Sequence, residues 1–230
     1  MKSILLIGAS SSVGSLVAKN FIDGGYKVTA SYRSTPIVKN DMTTSIQLDL
    51  SSNESILNFI ESIKSKKYNF DVCVFLAGIL PGKNMKEYGI DEIDEVMDIN
   101  FIGFAKLYKY LYKYLKDESQ LIIVSSISAQ RGSYDPIYSA SKGSLISLMK
   151  SLSQIKPLKT RVNAIAPGLI ENTSMYRDMD KSRQAFHRDA SPTNKLTKKE
   201  DLAKIIFDIT LPHWSNVNGE VIKINGGSYV

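Results

Sequence analysis

The 230-residue chain is 43% hydrophobic and 23% charged, which excludes a disordered polypeptide and predicts a globular protein with a sizeable core. Its net charge of +6 is thinly spread, densest at 64–67 and at Lys198-Lys199, with no basic stripe interleaved with aromatics. This predicts a solvated surface and no nucleic-acid partner, and it is compatible with a small polyanionic ligand.

The longest apolar runs, such as 72–77, are strand-length, so no membrane span is expected. Ile4-Leu5-Leu6-Ile7 after Met1-Lys2-Ser3 mimics a signal peptide but stops at Gly8, too short for export. The cytoplasm is therefore the expected compartment. The single cysteine, Cys73, excludes an internal disulfide and lies where a buried packing residue belongs.

In chain order, Ser3–Ile7 reads as an apolar strand running into Gly8-Ala9-Ser10-Ser11-Ser12-Val13-Gly14. A helix follows with Val13, Leu16, Val17, Phe21 and Ile22 on one face and Gly24-Gly25 as its stop. The next strand is Lys27–Tyr32. In such a unit, a turn without bulky side chains lets pyrophosphate approach backbone N–H groups at a helix N-terminus. Gly8, Ser10, Ser11, Ser12, Val13 and Gly14 are thus candidate dinucleotide contacts. Strand 46–48, helix 55–64, strand 71–76 and a long helix from about 92 to 115 come next. Strand 120–125, helix 137–155, strand 161–164, helix 201–211 and strand 220–224 complete the pattern.

Seven strands separated by helices predict an α/β doubly wound Rossmann fold, a seven-stranded parallel sheet flanked by helices. Its ligands would lie at the C-terminal strand ends. No repeat or linker divides the chain, so 1–230 reads as one domain. The polar stretch 172–196 holds Met175, Tyr176, Met179, Phe186 and His187 among many charges. A loop this long beyond a strand end predicts a substrate lid.

Tyr138 and Lys142 open helix 137–155 four residues apart, a spacing that puts them on one helical face. A phenol loses its proton near pH ~10, and a fixed positive charge beside it favours the phenolate. The pair is a candidate proton-transfer device. Tyr112 and Lys116 share the spacing in what reads as an ordinary amphipathic helix. Only Tyr138 and Lys142, however, follow a strand ending in a serine pair, Ser125-Ser126.

Further landmarks line up in order. Gly8 to Gly14 follows the first strand, Asp49-Leu50 the third and Leu76-Ala77-Gly78 the fourth. Asn100-Phe101-Ile102-Gly103 lies in the long helix, Asn163-Ala164-Ile165-Ala166-Pro167-Gly168 spans the sixth strand, and Asn218-Gly219-Glu220 precedes the last. With these residues in this order, the whole chain resembles a short-chain dehydrogenase/reductase, in the branch of the 3-oxoacyl-[acyl-carrier-protein] reductases.

The resemblance implies a reaction and its residues. Tyr138 would be the general acid toward a carbonyl, or the base in reverse. Lys142 would lower the phenol's pKa and hydrogen-bond the nicotinamide ribose, and Asn100 would hold a water linking Lys142 to solvent. A strand-end serine would hydrogen-bond the carbonyl oxygen as charge develops. Tyr32, Arg33, Ser34, Asp49, Leu50, Leu76, Ala77, Gly78, Pro167, Gly168, Ile170 and Thr173 would complete the cofactor contacts.

The family's usual spacing of thirteen residues before the tyrosine selects Ser125. The local pattern Ser126, Ala129, Gly132 selects Ser126 and needs a loop one residue shorter. A loop deletion is cheap, whereas sliding a strand by one turns every side chain to the other face. Ser126 is therefore the expected catalytic serine. The chain departs from the family where Ser12 replaces the middle glycine and Phe75-Leu76-Ala77-Gly78 replaces Asn-Asn-Ala-Gly. Thr173 also arrives one residue late, making Ile170 the safer nicotinamide contact.

An acid at the end of the second strand would bind a ribose 2′-OH, and an arginine would accommodate a 2′-phosphate. That end reads Ser31-Tyr32-Arg33-Ser34, so NADP(H) is expected over NAD(H), and with it reduction, although Ser11 replaces a side chain often basic in NADP-preferring relatives. The apolar and basic residues of 172–196 suit an acyl chain on an acidic carrier protein, or a phosphorylated or nucleotide-linked sugar. A 3-oxoacyl thioester is the first expectation. The rival of another class is a non-catalytic dinucleotide sensor or scaffold. In the family that the chain resembles, helices placed like 92–115 and 137–155 commonly form the subunit interface, so the resemblance, with an apolar face at Phe101, Phe104, Leu107, Tyr108 and Leu111, implies a homodimer or homotetramer. No metal is expected.

Overall fold

The computed structural model describes residues 1–37, 41–156 and 159–230. Seven parallel strands form the central sheet: β1 Ser3–Ile7, β2 Lys27–Tyr32, β3 Thr43–Gln47, β4 Phe70–Phe75, β5 Leu115–Val124, β6 Thr160–Pro167 and, last in the chain, β9 Val221–Ile224. Their order is β3-β2-β1-β4-β5-β6-β9. The chain winds outward from β1 in one direction and returns to β4 for the other. The crevice between β1 and β4 is therefore the switch point where an open α/β sheet binds its ligand.

Both faces of this sheet are covered, so its strands read as continuous apolar runs. Leu5, Ile7, Cys73 and Phe75 point to one face, where α2 (Asn53–Ser65), α4 (Gly103–Leu111) and α6 (Pro136–Ser153) pack. Ile4, Leu6, Val72 and Val74 point to the other, under α1 (Ser12–Asp23) and α9 (Lys199–Asp208). Cys73 is fully buried, as expected, and desolvation pushes its thiol up.

The predicted helix 92–115 is broken. It consists of α3 (Ile90–Met97), a π-helical segment Asp98–Ile102, α4, and a short 3-10 turn Tyr112–Tyr114 that gives way to β5 at Leu115. Strand β5 thus starts earlier than its apolar run suggested, with Lys116 paired to Asp71 at 2.8 Å. Tyr112 and Lys116 consequently share no helical face, and the control pair is no pair.

The broad apolar face of α4 is mostly spent inside the chain. Phe104, Leu107 and Leu111 are completely buried, Phe104 stacking on Phe75 with ring centroids 4.3 Å apart. Such a stack contributes about 1 kcal/mol beyond its buried area. Phe101 and Tyr108 pack only partly against the core.

The stretch 172–196 is an excursion closed at its base by a two-residue ladder, β7 (Ile170–Glu171) with β8 (Thr197–Lys198). It carries two short helices, α7 (Ser174–Arg177) and α8 (Lys181–Asp189), capped by Thr173 and Asp180. Among the described residues, no helix is long and apolar enough to cross a membrane.

Candidate active site

The site forms along the C-terminal edge of the sheet because every parallel strand delivers its exit loop there. At the β1 exit, Gly8 has φ +88 and donates its N–H to Ser31 Oγ at 3.1 Å. A Cβ at Gly8 would lie 2.6 Å from Ala77 N and 3.0 Å from the carbonyl carbon of Leu76, so only glycine lets the β1 turn and the β4 exit meet. Ser11 caps α1: its Oγ accepts from Gly14 N at 2.9 Å and donates to Gly8 O at 3.1 Å. The remaining first-turn N–H groups, from Ser12 and Val13, have no partner the helix itself could supply.

At the β2 exit, Arg33 Nε lies 3.6 Å from Asp49 Oδ2. The Ser51 hydroxyl, at 2.7 Å, is the main reason the Asp49 carboxyl falls below its usual range, with Arg33 adding to it. Tyr32 is half-buried and Ser34 exposed. Leu50 is buried behind Asp49. These residues line the β2–β3 end, and Leu76, Ala77 and Gly78 line the β4 exit.

The π-helical segment carries Asn100, which is completely buried. Its Oδ1 accepts from Ile79 N at 2.8 Å, and its Nδ2 donates to Ile79 O and to Ser141 Oγ, both at 3.0 Å. The side-chain amide therefore ties the β4 exit loop to α6, with both amide hydrogens used and one lone pair of Oδ1 in use. Gly78 sits in the gap beneath: a Cβ there would approach Lys142 Nζ to 3.0 Å and Asn100 Oδ1 to 3.3 Å.

Serines 125 and 126 point to different places. Ser125 Oγ donates to Lys142 O at 2.8 Å and is buried as part of the β5–α6 packing. Ser126 lies beside the phenol of Tyr138, and its Oγ also accepts from Ser128 N at 3.1 Å. Tyr138 and Lys142 share one face of α6, with Nζ 5.9 Å from the ring centroid. Lys142 is 4% exposed, donates to Val124 O at 3.2 Å and has no carboxylate partner among the described residues. Burial lowers its pKa to about 8.

The expectation that Lys142 brings the phenol down needs correction. Burial pushes Tyr138 up, the Ser126 hydroxyl pulls it down, and the Asp135 carboxylate pushes it up again, for a net rise. Lys142, whose ammonium donates to Val124 O and lies 5.9 Å from the ring centroid, does not enter this balance. As the side chains stand, Tyr138 holds its proton.

On the far side, Gly168 N donates to Ile224 O at 2.8 Å, and Ile170 begins the ladder at the base of the 172–196 excursion. Pro167 O accepts from Ile127 N at 3.1 Å, tying this edge to the serine loop. Thr173 is committed locally: its Oγ1 donates to Ile170 O at 2.9 Å and accepts from Tyr176 N at 3.2 Å, capping α7. A small cavity lined by Ile127, Gly168, His187 and Lys195 lies between this edge and the 172–196 excursion. Burial, then Arg131 and Arg183, lower the His187 pKa.

Asp135 was missed in the sequence, although Asp135-Pro136 is a helix-start signature of N-cap acid and first-turn proline. It is buried and caps the turn that carries Tyr138. Ser141 was missed too: its Oγ donates to Tyr138 O at 2.8 Å and so joins Asn100 to that turn.

A dinucleotide fits these residues. The β1–β4 crevice is walled by backbone, α1 begins at the β1 exit with first-turn N–H groups that the helix itself does not satisfy, and Lys142 is buried with no carboxylate partner among the described residues. Among the described residues, no group of acids, histidines and cysteine could hold a metal ion.

Comparison with known proteins agrees. A family model described as Enoyl-(Acyl carrier protein) reductase matches residues 8–229. The 3-oxoacyl-[acyl-carrier-protein] reductase FabG of Buchnera aphidicola is 26% identical, with 100% of this chain and 98% of the relative covered. A dehydrogenase of Cochliobolus heterostrophus is 30% identical over 92% of this chain and 96% of its own. The crystal structure of a short-chain dehydrogenase/reductase from Brucella melitensis, titled glucose/ribitol dehydrogenase, superposes with a TM-score of 0.91 at 28% identity, covering 100% of this chain and 97% of that one. The fold, the order of the side chains at its open edge and these matches agree that the chain belongs to the short-chain dehydrogenase/reductase superfamily of oxidoreductases, and within it resembles FabG.

Proposed function

We propose that this protein reduces a ketone to a secondary alcohol, with NADPH as hydride donor and Tyr138 as general acid. The observation that carries the reading is the placing of the Ser126 and Tyr138 hydroxyls side by side on the sheet edge, above buried Lys142. Two adjacent O–H donors suit one oxygen that gains negative charge as its carbon is reduced. A phenol that keeps its proton suits an acid at neutral pH.

The dinucleotide, when bound, supplies the hydride. Ser126 donates to the carbonyl oxygen and aligns it. Tyr138 would pass its proton to that oxygen, and the buried Lys142 ammonium, 5.9 Å from the ring centroid, would favour the phenolate left behind. Asn100, its amide committed to Ile79 and Ser141, holds the wall of the site and offers its main-chain carbonyl for a solvent link to Lys142. Ser10 to Gly14 would hold the pyrophosphate. Arg33 would meet a ribose 2′-phosphate, which competes there with Asp49.

For the substrate we favour a 3-oxoacyl thioester, with an acyl carrier protein or similar acidic carrier as partner. The FabG relative matched over the whole chain supports this, as do Arg131, Arg183 and His187 around the lid with exposed Phe186. The Brucella protein, named a glucose/ribitol dehydrogenase, favours a sugar or nucleotide-linked sugar as the second reading. A homodimer through the outer surfaces of α4 and α6 remains our expectation, resting on Phe101 and Tyr108 rather than on the buried residues between them.

The test is Tyr138→Phe, which deletes one hydroxyl. Reduction of acetoacetyl-CoA and of a ketose panel, followed by NADPH oxidation, should fall by about 10²–10⁴-fold while NADPH binding persists. Turnover that survives the substitution refutes the mechanism. A wild type that binds NADPH but turns over neither class is a dinucleotide sensor instead.

A further inference from the structure

The loop after β4, residues 79–88, is tied to the helical turn that bears Tyr138 by one side chain. Asp135 is 1% exposed and accepts four hydrogen bonds. Its Oδ1 takes Tyr138 N at 2.9 Å and Tyr88 Oη at 2.7 Å. Its Oδ2 takes Gly82 N at 2.9 Å and Lys83 N at 3.4 Å. At its other end the same loop is gripped at Ile79 by Asn100. Next to Asp135, Tyr134 bonds Asn84 through its hydroxyl at 3.0 Å and lies under the Arg183 guanidinium of the lid, 4.2 Å from the ring centroid. The β4 loop, the lid and the first turn of α6 therefore meet at 134–135.

We propose that Asp135, with Tyr88 as its partner, is a positioning residue of the reaction. In one knot it clamps the 79–88 loop, as a substrate wall, to the helical turn bearing Tyr138, and it places a fixed negative charge behind the general acid. An N-cap needs only one oxygen facing one or two N–H groups. A serine or threonine would cap α6 equally well, so the second oxygen and the charge call for another explanation. The clamp accounts for the second oxygen, because backbone N–H groups of a loop need a buried acceptor if the loop is to stay closed without water.

The charge acts on the phenol. Facing Tyr138 are the Ser126 hydroxyl from the end of β5, the Lys142 ammonium one turn along α6, and Asp135 beneath the turn. Behind Asp135 stand Tyr88, pushed up by burial and by Asp135 itself, and then the Lys83 and Glu92 ion pair. A negative charge there favours the protonated phenol, the form that a reductase needs before hydride arrives.

The inference rests on Tyr138 being the general acid, so its test reads the phenol and the loop directly as well as turnover. Tyrosine ring-carbon NMR of labelled protein, with Tyr138 assigned from Tyr138→Phe, gives the phenol midpoint without any substrate. In Asp135→Asn we expect that midpoint to drop by about half a pH unit or more, the scale for removing one nearby charge. Amide exchange at Gly82 and Lys83 should speed up by about tenfold or more in Asp135→Asn and in Tyr88→Phe, the latter without any downward move of the Tyr138 midpoint. In both variants KM for the ketone should rise more than kcat falls.

An unmoved Tyr138 midpoint in Asp135→Asn overturns the charge role. Unchanged exchange at 82–83 in Tyr88→Phe overturns the clamp, and this arm decides alone if Asp135→Asn does not fold. Should Tyr138→Phe leave turnover intact while midpoint and exchange behave as expected, the reaction assignment fails and the clamp stands.

Discussion

Replacing Lys142 by methionine keeps an unbranched stem and removes the ammonium. Burial lowers this lysine from its ordinary 10.5 to about 8. At about 1.4 kcal/mol per pH unit, the folded chain carries the charge at neutral pH at a cost of about 3 kcal/mol. Losing the 3.2 Å bond from Nζ to Val124 O returns about 1 kcal/mol of that, so the variant should be more stable by about 2 kcal/mol. For a chain of this size the melting midpoint should rise by about 4–8 °C.

The sign with pH is specific. The unfolded lysine keeps its proton up to about 10.5 and the folded one only to about 8, so the wild type gains stability as pH rises between them. The advantage of Lys142→Met is therefore full below about pH 8 and fades across that window. Calorimetric melts of both proteins without dinucleotide, near pH 7 and near pH 9.5, measure it. A variant less stable than wild type near pH 7, or an advantage equal at both pH values, refutes the reasoning. With ketone reduction lost at the same time, Lys142 would be a residue kept for chemistry at the expense of stability.

The two serines should separate cleanly. Ser126→Ala should lower kcat/KM by about 10²-fold, whereas Ser125→Ala, losing a buried bond to Lys142 O, should cost about 1–2 kcal/mol in urea unfolding and leave kcat/KM within a few-fold. The reverse pattern restores Ser125 as the catalytic serine. Gly8→Ala, with φ +88 and a Cβ 2.6 Å from Ala77 N, should destabilise by about 1–3 kcal/mol and weaken NADPH binding in a fluorescence titration. Normal stability there would mean the β1–β4 approach is looser than drawn. Arg33→Ala should raise KM for NADPH at least about tenfold more than for NADH, a charge-assisted phosphate contact being lost. An unchanged ratio removes Arg33 from the cofactor preference.

Much of the fold was legible because its elements are locally encoded. Strands buried on both faces read as apolar runs, α1 and α2 show helical periodicity, and small residues mark the turn that α1 needs. Gly8 and Ser126 come just after strands, and Asn100, Tyr138 and Lys142 lie on the helical segments after β4 and β5, an order legible along the chain. The pattern Ser126, Ala129, Gly132 favoured Ser126, since a loop shorter by one residue costs less than sliding β5 by one.

What the sequence by itself determined is the doubly wound sheet, the family and the set of side chains at its open edge. Tertiary structure alone decided how they act. The π-helical break that aims Asn100 depends on packing against the β4 exit, and the helical pattern around it runs on unbroken. The apolar face of α4 is largely covered within the chain, because Phe104 stacks on Phe75 and Leu107 and Leu111 are buried in the same cluster, a packing that only folding creates. The direction in which Tyr138 titrates is the sum of burial, a hydroxyl and a carboxylate, all set by distance and dielectric rather than by spacing along the chain. Asp135 and Tyr88 are forty-seven residues apart in sequence and 2.7 Å apart in space, a separation no local pattern encodes.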